Sequence, residues 1–260
     1  MIDLSNVEIG TEATIELCTT MAKYGKGTCF LGFSRGKDSV AAWLWLRRFF
    51  NRIIPFHVAS VPHLQISDRS LDYYERFFHT KIERFMDGTV LRDFFTLRYQ
   101  SPANADEIQQ MKFYQFDKAE LTDYLRKKYD CEDAWTAYAI NGSDSIFRRE
   151  TCRSCNGRRI VSHSFYPLWD WTKWQIYKII DDSGVKLAPD YMFSKRSVVG
   201  TPTQIAIANG IKERYPEDFR RTKTMFPLCE VAVARNEFRR KNGKPKQEEE
   251  NHESSENGVY

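Results

Sequence analysis

A short polar loop between two apolar segments contains the residues best suited to chemistry. The loop SRGKDS, at Ser34 to Ser39, follows the apolar run TCFLGF, and apolar residues at helical spacing come after it. Lys37 supplies a full positive charge, and Gly36 permits close approach of the backbone to a ligand. Backbone amides that open a helix carry partial positive charge, and the hydroxyls of Ser34 and Ser39 can donate hydrogen bonds. These residues predict a phosphate-binding loop.

A second candidate region is rich in arginine and follows an apolar run that ends at Ile140. The planar guanidinium group suits bidentate contact with phosphate or sulfate. We expect this region to be a loop at the carboxyl end of a parallel strand, where α/β sheets bind ligands. An exposed basic loop or a nucleic-acid patch is the alternative interpretation. The arginines are Arg148, Arg149, Arg153, Arg158 and Arg159.

Strand and helix patterns alternate around these two regions. Because a repeated strand-helix alternation is typical of parallel sheets covered on both faces, we expect an α/β fold. Thr172 and Gln175 match a capping box at the start of a helix that Gly184 ends. Strands are predicted at 28–33, 53–60, 81–86 and 134–140, and helices at 39–50, 67–79 and 172–182, with mainly helical structure at 100–128.

The length and composition bound the domain organisation. A chain of 260 residues with 42% hydrophobic and 28% charged residues can bury a sizeable core. From residue 239 onward the chain has almost no apolar residues and changes from basic to acidic, which predicts a disordered tail. We expect an α/β nucleotide-binding domain at 1–200, a helical C-terminal subregion at 201–238 and the charged tail at 239–260.

Charge and hydropathy argue against several functional classes. The formal net charge of +4 gives no indication of nucleic-acid binding, and no apolar run is long enough to span a bilayer. The first residues lack the basic and apolar regions of a signal peptide, and the six cysteines are irregularly spaced. We therefore expect a cytoplasmic protein with no membrane partner.

The loop at Ser34 resembles the PP-loop, usually Ser-Gly-Gly-x-Asp-Ser, of the ATP pyrophosphatase and phosphoadenosine phosphosulfate (PAPS) reductase family. Arg35 stands where that family usually has its first glycine. A second stretch resembles the family's Gly-x-Arg-x-x-Asp/Glu-Ser-x-x-Arg landmark without its first arginine, and a third is similar to its Pro-Leu-x-Asp-Trp-Thr helix start. Their matching residues are Gly142, Asp144, Ser145, Arg148 and Arg149, and then Pro167, Leu168, Asp170, Trp171 and Thr172.

The resemblance implies a doubly wound parallel sheet of the adenine nucleotide α-hydrolase type with a helical C-terminal subregion. It further implies that the chain binds ATP or PAPS with Mg²⁺ and cleaves ATP between the α- and β-phosphates, which adenylates an unidentified acceptor. The catalytic residues it implies are Lys37, Asp38, Arg148 and Arg149. The nucleotide-binding residues it implies are Ser34, Arg35, Gly36, Lys37, Asp38, Ser39, Asp144, Lys195 and Arg196.

Two other functions remain open from the sequence. A sulfonucleotide reductase would need a nucleophilic cysteine in a C-terminal Glu-Cys-Gly-x-His motif, whereas the tail has none and Cys229 is followed by Glu230. A nucleotide-responsive regulatory protein would keep the pocket without turnover and use its arginines on a partner or on nucleic acid.

The remaining cysteines and tryptophans have ordinary interpretations. Cys152 and Cys155 have C-x-x-C spacing, and with Cys131 they are weak candidates for zinc or for a three-cysteine iron-sulfur cluster. Free thiols are the default. Trp171 and Trp174 are expected in the core because of their helical spacing.

Overall fold

The described part of the chain forms a six-stranded, mostly parallel sheet. The computed structural model describes residues 9–111, 116–193, 202–207 and 211–242. The strand order is β3-β2-β1-β4-β6-β5, and only the edge strand β5 runs antiparallel to its neighbour. The strands are β1 (Thr28–Gly32), β2 (Arg52–Ala59), β3 (Glu83–Met86), β4 (Trp135–Tyr138), β5 (Arg158–Arg159) and β6 (Ser164–Phe165).

Helices connect the strands and continue beyond the last strand. Short 3₁₀ turns lie at Pro102–Asn104 and Pro189–Met192. The helices before the last strand are α1 (Glu12–Tyr24), α2 (Lys37–Leu46), α3 (Gln65–Phe78), α4 (Gly88–Phe95), α5 (Ala105–Gln110), α6 (Lys118–Tyr129) and α7 (Ile146–Ser154). After it come α8 (Lys173–Ser183), α9 (Pro202–Ile207), α10 (Ile211–Arg214), α11 (Pro216–Met225) and α12 (Cys229–Lys241).

Helices cover both faces of the sheet, as the central strand shows. Successive side chains of a strand point to opposite faces. Cys29 and Leu31 belong to a core formed with α1, α2 and α8, whereas Phe30 packs against Leu121 and Leu125 of α6. The predicted fold class, a doubly wound α/β sheet, is therefore confirmed.

The C-terminal helices pack beside α3 and close its N-terminus. The N-cap of α3 makes no side-chain hydrogen bond of its own. Instead, the buried carboxylate of Asp218 in α11 accepts from the amides of Gln65 and Ile66 at 2.7 and 3.0 Å. A carboxylate at this end also complements the helix dipole. The helix α12 continues to Lys241, past position 239 where the tail is predicted to begin, and residues 243–260 lie outside the described residues.

Two structural features bear on the remaining expectations. In the described ranges, no helix is both long enough and apolar enough to cross a membrane. The region of Arg148, which was expected to be a loop, is the helix α7, so that prediction was wrong. This helix buries only Cys152, and a helix without an apolar stripe lacks the periodicity by which sequence analysis detects it.

Candidate functional site

The loop between β1 and α2 lies at the carboxyl edge of the sheet, where the strand order changes direction. The chain passes from β1 to β2 on one side, and β4 pairs with the other side of β1. Open α/β sheets bind ligands in the crevice at such a switch point. The residues Ser34 to Gly36 therefore stand at the edge of the sheet where this fold binds ligands.

The first turn of α2 has backbone amides available for an anion. Gly36 is the N-cap and offers no side-chain hydrogen bond to the helix. Within the part of the chain that the structure describes, the amides of Asp38 and Ser39 form no hydrogen bond. The amide of Lys37 donates to the hydroxyl of Tyr191 over 2.9 Å. Because such amides carry the positive end of the helix dipole, this terminus can receive an anion.

The two serines of the loop have different surroundings. Ser34 is exposed, and its Oγ lies 3.2 Å from Ser39 Oγ and 3.4 Å from the amide nitrogen of Gly36. Ser39 is buried and donates from Oγ to the carbonyl oxygen of Gly36 at 2.9 Å. Ser34 can therefore be reached by a ligand, whereas Ser39 fixes the shape of the loop.

Lys37 and Asp38 form an ion pair beside the helix terminus. The ammonium nitrogen of Lys37 lies 2.8 Å from each carboxylate oxygen of Asp38. Burial disfavours the charged ammonium, but the hydrogen bond and charge of Asp38, with smaller contributions from Tyr191 and Asp144, outweigh burial and raise the pKa of Lys37. Lys37 is therefore cationic at neutral pH, and Asp144 in the loop after β4 is one of the carboxylates that stabilise its charge.

The side chain of Arg35 is directed into the protein interior. Its guanidinium is fully buried and donates to Ser70 Oγ at 2.8 Å and to the carbonyl of Ile66 at 3.3 Å. The carboxylate of Asp190 lies 3.7 Å away. A contact between this guanidinium and a nucleotide would require it to leave the interior, so we interpret Arg35 as a residue that holds the loop in place.

The loop from Asn141 to Ser145 packs directly on the Pro167–Thr172 segment, the third of the sequence landmarks. The amide of Gly142 donates to the carbonyl of Trp169 at 2.8 Å, and the side-chain amide of Asn141 donates to the carbonyl of Trp171 at 2.9 Å. A Cβ at Gly142 would lie 2.8 Å from that Trp169 oxygen and 3.2 Å from the Cα of Arg149. Only glycine fits here without a backbone shift, so the two landmarks form one packed unit.

The arginines between positions 148 and 159 do not gather in one place. Arg148 donates to Asp144 at 2.7 Å in the first turn of α7, which follows β4 in the chain. Arg158 instead stacks over the ring of Tyr24, 5.9 Å from its centroid, at the end of α1 that leads into β1. The cluster therefore divides between the two edges of the sheet. Arg149 and Arg153 lie on the exposed face of α7, and Arg159 is exposed in the edge strand β5.

In the Pro167–Thr172 segment, the predicted helix start is confirmed, but the expected burial of Trp174 is wrong. Thr172 and Gln175 form the predicted capping box, and Gly184 ends α8 in the left-handed conformation. Trp171 is buried, as expected, and its Nε1 donates to Thr14 Oγ1 at 3.1 Å. Trp174 is 64% exposed, so its expected place in the core was wrong. Trp171 lies before the helix begins, so helical spacing does not relate the two side chains.

The cysteine candidates do not form a metal site. Among the described residues, no group of three or more His, Cys, Asp or Glu side chains could hold a metal ion. Cys131 follows α6 before β4 begins, whereas Cys152 and Cys155 lie at the far end of α7. These residues do not fit zinc or an iron-sulfur cluster.

His57 supports the strand that leads into the loop. Its Nδ1 lies 2.8 Å from the carbonyl oxygen of Phe33, which can only accept, so Nδ1 carries the proton. Burial, followed by the charge of Arg35, lowers the pKa of His57 to about 3. The ring is therefore neutral and structural at physiological pH.

Sequence reasoning missed Tyr191 and Asp190, which the structure brings against the loop at Ser34 to Ser39. They lie in a 3₁₀ turn after α8, and no spacing rule links such a turn to a loop more than a hundred residues earlier. Lys195 and Arg196, predicted as phosphate ligands, lie outside the described residues.

Comparison with known proteins gives similar folds only at low scores. No protein-family model matches the chain, and no curated protein matches it. The solved structures that it resembles include the U34-tRNA thiolase NcsA from Methanococcus maripaludis, with its [4Fe-4S] cluster, at 12% identity and a TM-score of 0.43, covering 84% of this chain and 79% of that chain.

Two NAD synthetases are similar to about the same degree. The NH3-dependent NAD synthetase from Campylobacter jejuni has 14% identity and a TM-score of 0.41, with 90% and 97% coverage of this chain and that chain. The glutamine-dependent NAD+ synthetase from Acinetobacter baumannii has 16% identity and a TM-score of 0.42, and the match covers 90% of this chain and 46% of that one. Because all three scores are low, the fold assignment rests on the strand order of the chain itself.

Proposed function

We propose that this protein binds an adenine nucleotide with its phosphates at the loop between β1 and α2, and cleaves ATP between the α- and β-phosphates to adenylate an acceptor. One observation carries the proposal: a helix N-terminus with two unbonded amides and an adjacent lysine lies at the switch point of a doubly wound sheet. The order of three sequence landmarks that resemble the PP-loop family supports the choice of ATP chemistry over simple anion binding.

The residues of the loop would act mainly by electrostatic stabilisation. The amides of Asp38 and Ser39 would donate to the phosphates, and Lys37 would add a full charge. Attack by an acceptor oxygen on the α-phosphate increases negative charge on the phosphate oxygens and on the departing pyrophosphate. Fixed donors aimed at that charge lower the barrier because they need no reorganisation during the reaction.

The carboxylates near the loop fit a magnesium ion that accompanies ATP. Mg²⁺ is usually held by one or two carboxylates together with substrate phosphates. Asp38 is 24% exposed at the loop, and Asp144 lies close enough to raise the pKa of Lys37. Mg²⁺ would neutralise phosphate charge when bound. Asp38, now paired with Lys37, and Asp144 are the residues we expect to hold it.

The arginines have a narrower role in this proposal than the sequence alone predicts. Arg148 lies beside Asp144 at the ligand edge, and Arg149 is exposed on the same first turn of α7. We keep these two as candidates for contact with the phosphates or the acceptor. Lys195 and Arg196 remain predicted phosphate ligands.

A sulfonucleotide reductase is less well supported. Cys229 is completely buried in an apolar cluster between α4 and the C-terminal helices, and burial raises the pKa of its thiol. A nucleophilic thiol needs exposure and a lowered pKa. Cys229 has neither property.

A nucleotide-responsive binding protein is the second candidate function. One observation favours it: Ile146 and Phe147, which begin α7, are 78% and 70% exposed beside Arg149. Apolar side chains beside cations suit a macromolecular partner. This candidate predicts nucleotide binding without pyrophosphate release.

Product analysis with ATP labelled at the α-phosphorus separates these candidates. We would incubate the protein, Mg²⁺ and labelled ATP with fractions of a cell extract, as a source of acceptors, and resolve the products. Label on AMP or on an adenylated acceptor, lost in Lys37→Ala and kept in Lys127→Ala, is the expected result. Lys127 is a fair control because it is exposed near the end of α6, before β4 begins. Label found only on ADP would contradict cleavage between the α- and β-phosphates.

A further inference from the structure

A tyrosine hydroxyl accepts a hydrogen bond from one of the backbone amides in the first turn of α2. Tyr191 lies in the 3₁₀ turn Pro189–Met192, far along the chain from the loop, yet its hydroxyl accepts from the amide of Lys37 at 2.9 Å. Burial raises the pKa of Tyr191, so the hydroxyl is neutral at physiological pH. A neutral oxygen therefore sits at the positive end of a helix, where an anionic oxygen would interact more strongly.

The turn that carries Tyr191 is held in place by Arg35, which stands where the PP-loop sequence usually has glycine. Arg35 adopts a φ of +67°, in the left-handed region that glycine occupies without strain. This conformation belongs to a side chain directed inward, where the guanidinium donates to Ser70 and lies 3.7 Å from Asp190. Asp190 directly precedes Tyr191, so the anchor lies one residue from the hydroxyl.

We propose that Tyr191 is a specificity-determining residue whose hydroxyl fills, in the nucleotide-free protein, the amide position that a phosphate oxygen takes on binding. Arg35 and Asp190 are the positioning residues that hold the turn against the loop. This inference rests on the proposed function, because it assigns the phosphates to the N-terminus of α2.

The arrangement discriminates between ligands by charge. A phosphate gains charge-assisted hydrogen bonds from the Lys37 amide and from the neighbouring amides, and it also attracts the Lys37 ammonium. It can therefore displace the hydroxyl. A ligand without phosphate, such as adenosine, makes none of these contacts and leaves the hydroxyl where it is. Loss of the hydroxyl should then change the affinity for phosphate-bearing ligands alone.

Calorimetric titration of the full chain with pyrophosphate, ATP and adenosine tests the inference. In Tyr191→Phe the internal competitor is gone, so pyrophosphate and ATP should bind about two- to tenfold more tightly, the range of one hydrogen bond. Adenosine binding should not change. Tyr177→Phe, on the exposed side of α8, is the matched control and should leave all three affinities unchanged.

Two measurements on the ligand-free protein separate this role from a merely structural one. The melting temperature of Tyr191→Phe should fall while its affinity for pyrophosphate rises, whereas a packing defect would lower both. Hydrogen exchange at the Lys37 amide should become faster in Tyr191→Phe and stay unchanged in Tyr177→Phe, since only the former removes its acceptor.

Each outcome decides a different question. Weaker pyrophosphate binding by Tyr191→Phe would mean that the hydroxyl donates to the phosphate, and equal binding would mean that it does not compete. Either result overturns the inference and leaves the proposed function standing. If the wild-type protein bound neither ATP nor pyrophosphate, the proposed function would fail and this inference with it.

Discussion

Replacement of Arg35 by glycine sets two opposed effects against each other. Glycine removes the backbone strain of a left-handed residue, which stabilises the fold by about 1 to 2 kcal/mol. The same change deletes the bonds from the buried guanidinium to Ser70 Oγ at 2.8 Å and to the Ile66 carbonyl at 3.3 Å. Hydrogen bonds from a charged donor contribute about 1.5 to 3 kcal/mol each. The lost bonds outweigh the strain, and we expect Arg35→Gly to lower the free energy of unfolding by about 2 to 4 kcal/mol.

His79→Gly is the matched control for the backbone contribution. His79 ends α3 with a φ of +52°, and its side chain is exposed. The same substitution there removes strain without removing buried contacts, so it should raise the free energy of unfolding by about 1 kcal/mol. Urea unfolding followed by both fluorescence and circular dichroism measures the two variants. An Arg35→Gly protein as stable as the wild type would refute the view that this guanidinium anchors the loop.

Three further predictions concern residues around the site. Because His57 is neutral in the fold, with a pKa of about 3 against 6.5 unfolded, the unfolded state alone takes up a proton between these values. Stability should therefore fall by about 2 kcal/mol more between pH 7 and pH 5 in the wild type than in His57→Gln, as urea unfolding at both pH values would show. Gly142→Ala should cost about 1 to 3 kcal/mol because its Cβ meets the Trp169 carbonyl oxygen, whereas exposed Ser143→Ala should be neutral in the same assay. A thiol reagent should modify Cys131 and Cys155 in the folded protein, and fast modification of Cys229 would contradict its burial.

Much of the scaffold could be predicted because its signals are local. The apolar run before Ser34 and the spaced apolar residues after it gave the strand-loop-helix unit, and the alternation of such units gave the parallel sheet. The capping box at Thr172 and the glycine at position 184 set the limits of α8 because caps satisfy amides and carbonyls within a few residues.

The remaining features of the site could not be predicted because they depend on the direction of a side chain, on a helix without an apolar stripe and on contacts between distant residues. A left-handed residue directs its side chain differently from its neighbours, so the loop sequence could not show that Arg35 points inward. The helix α7 was hidden because its arginines give no apolar stripe. Tyr191 reaches the Lys37 amide only through the tertiary fold, and no local pattern encodes that contact.

Calorimetric titration with ATP and Mg²⁺ tests the central claim most directly. We would compare the wild type with Lys37→Ala, with the double variant Ser34→Ala, Asp38→Ala, and with Lys127→Ala as the control. The account predicts ATP binding by the wild type and the control, and at least a tenfold loss in the other two variants. A folded wild-type protein that binds no ATP, or that binds it equally well without Lys37, would contradict the claim that this loop is the phosphate site.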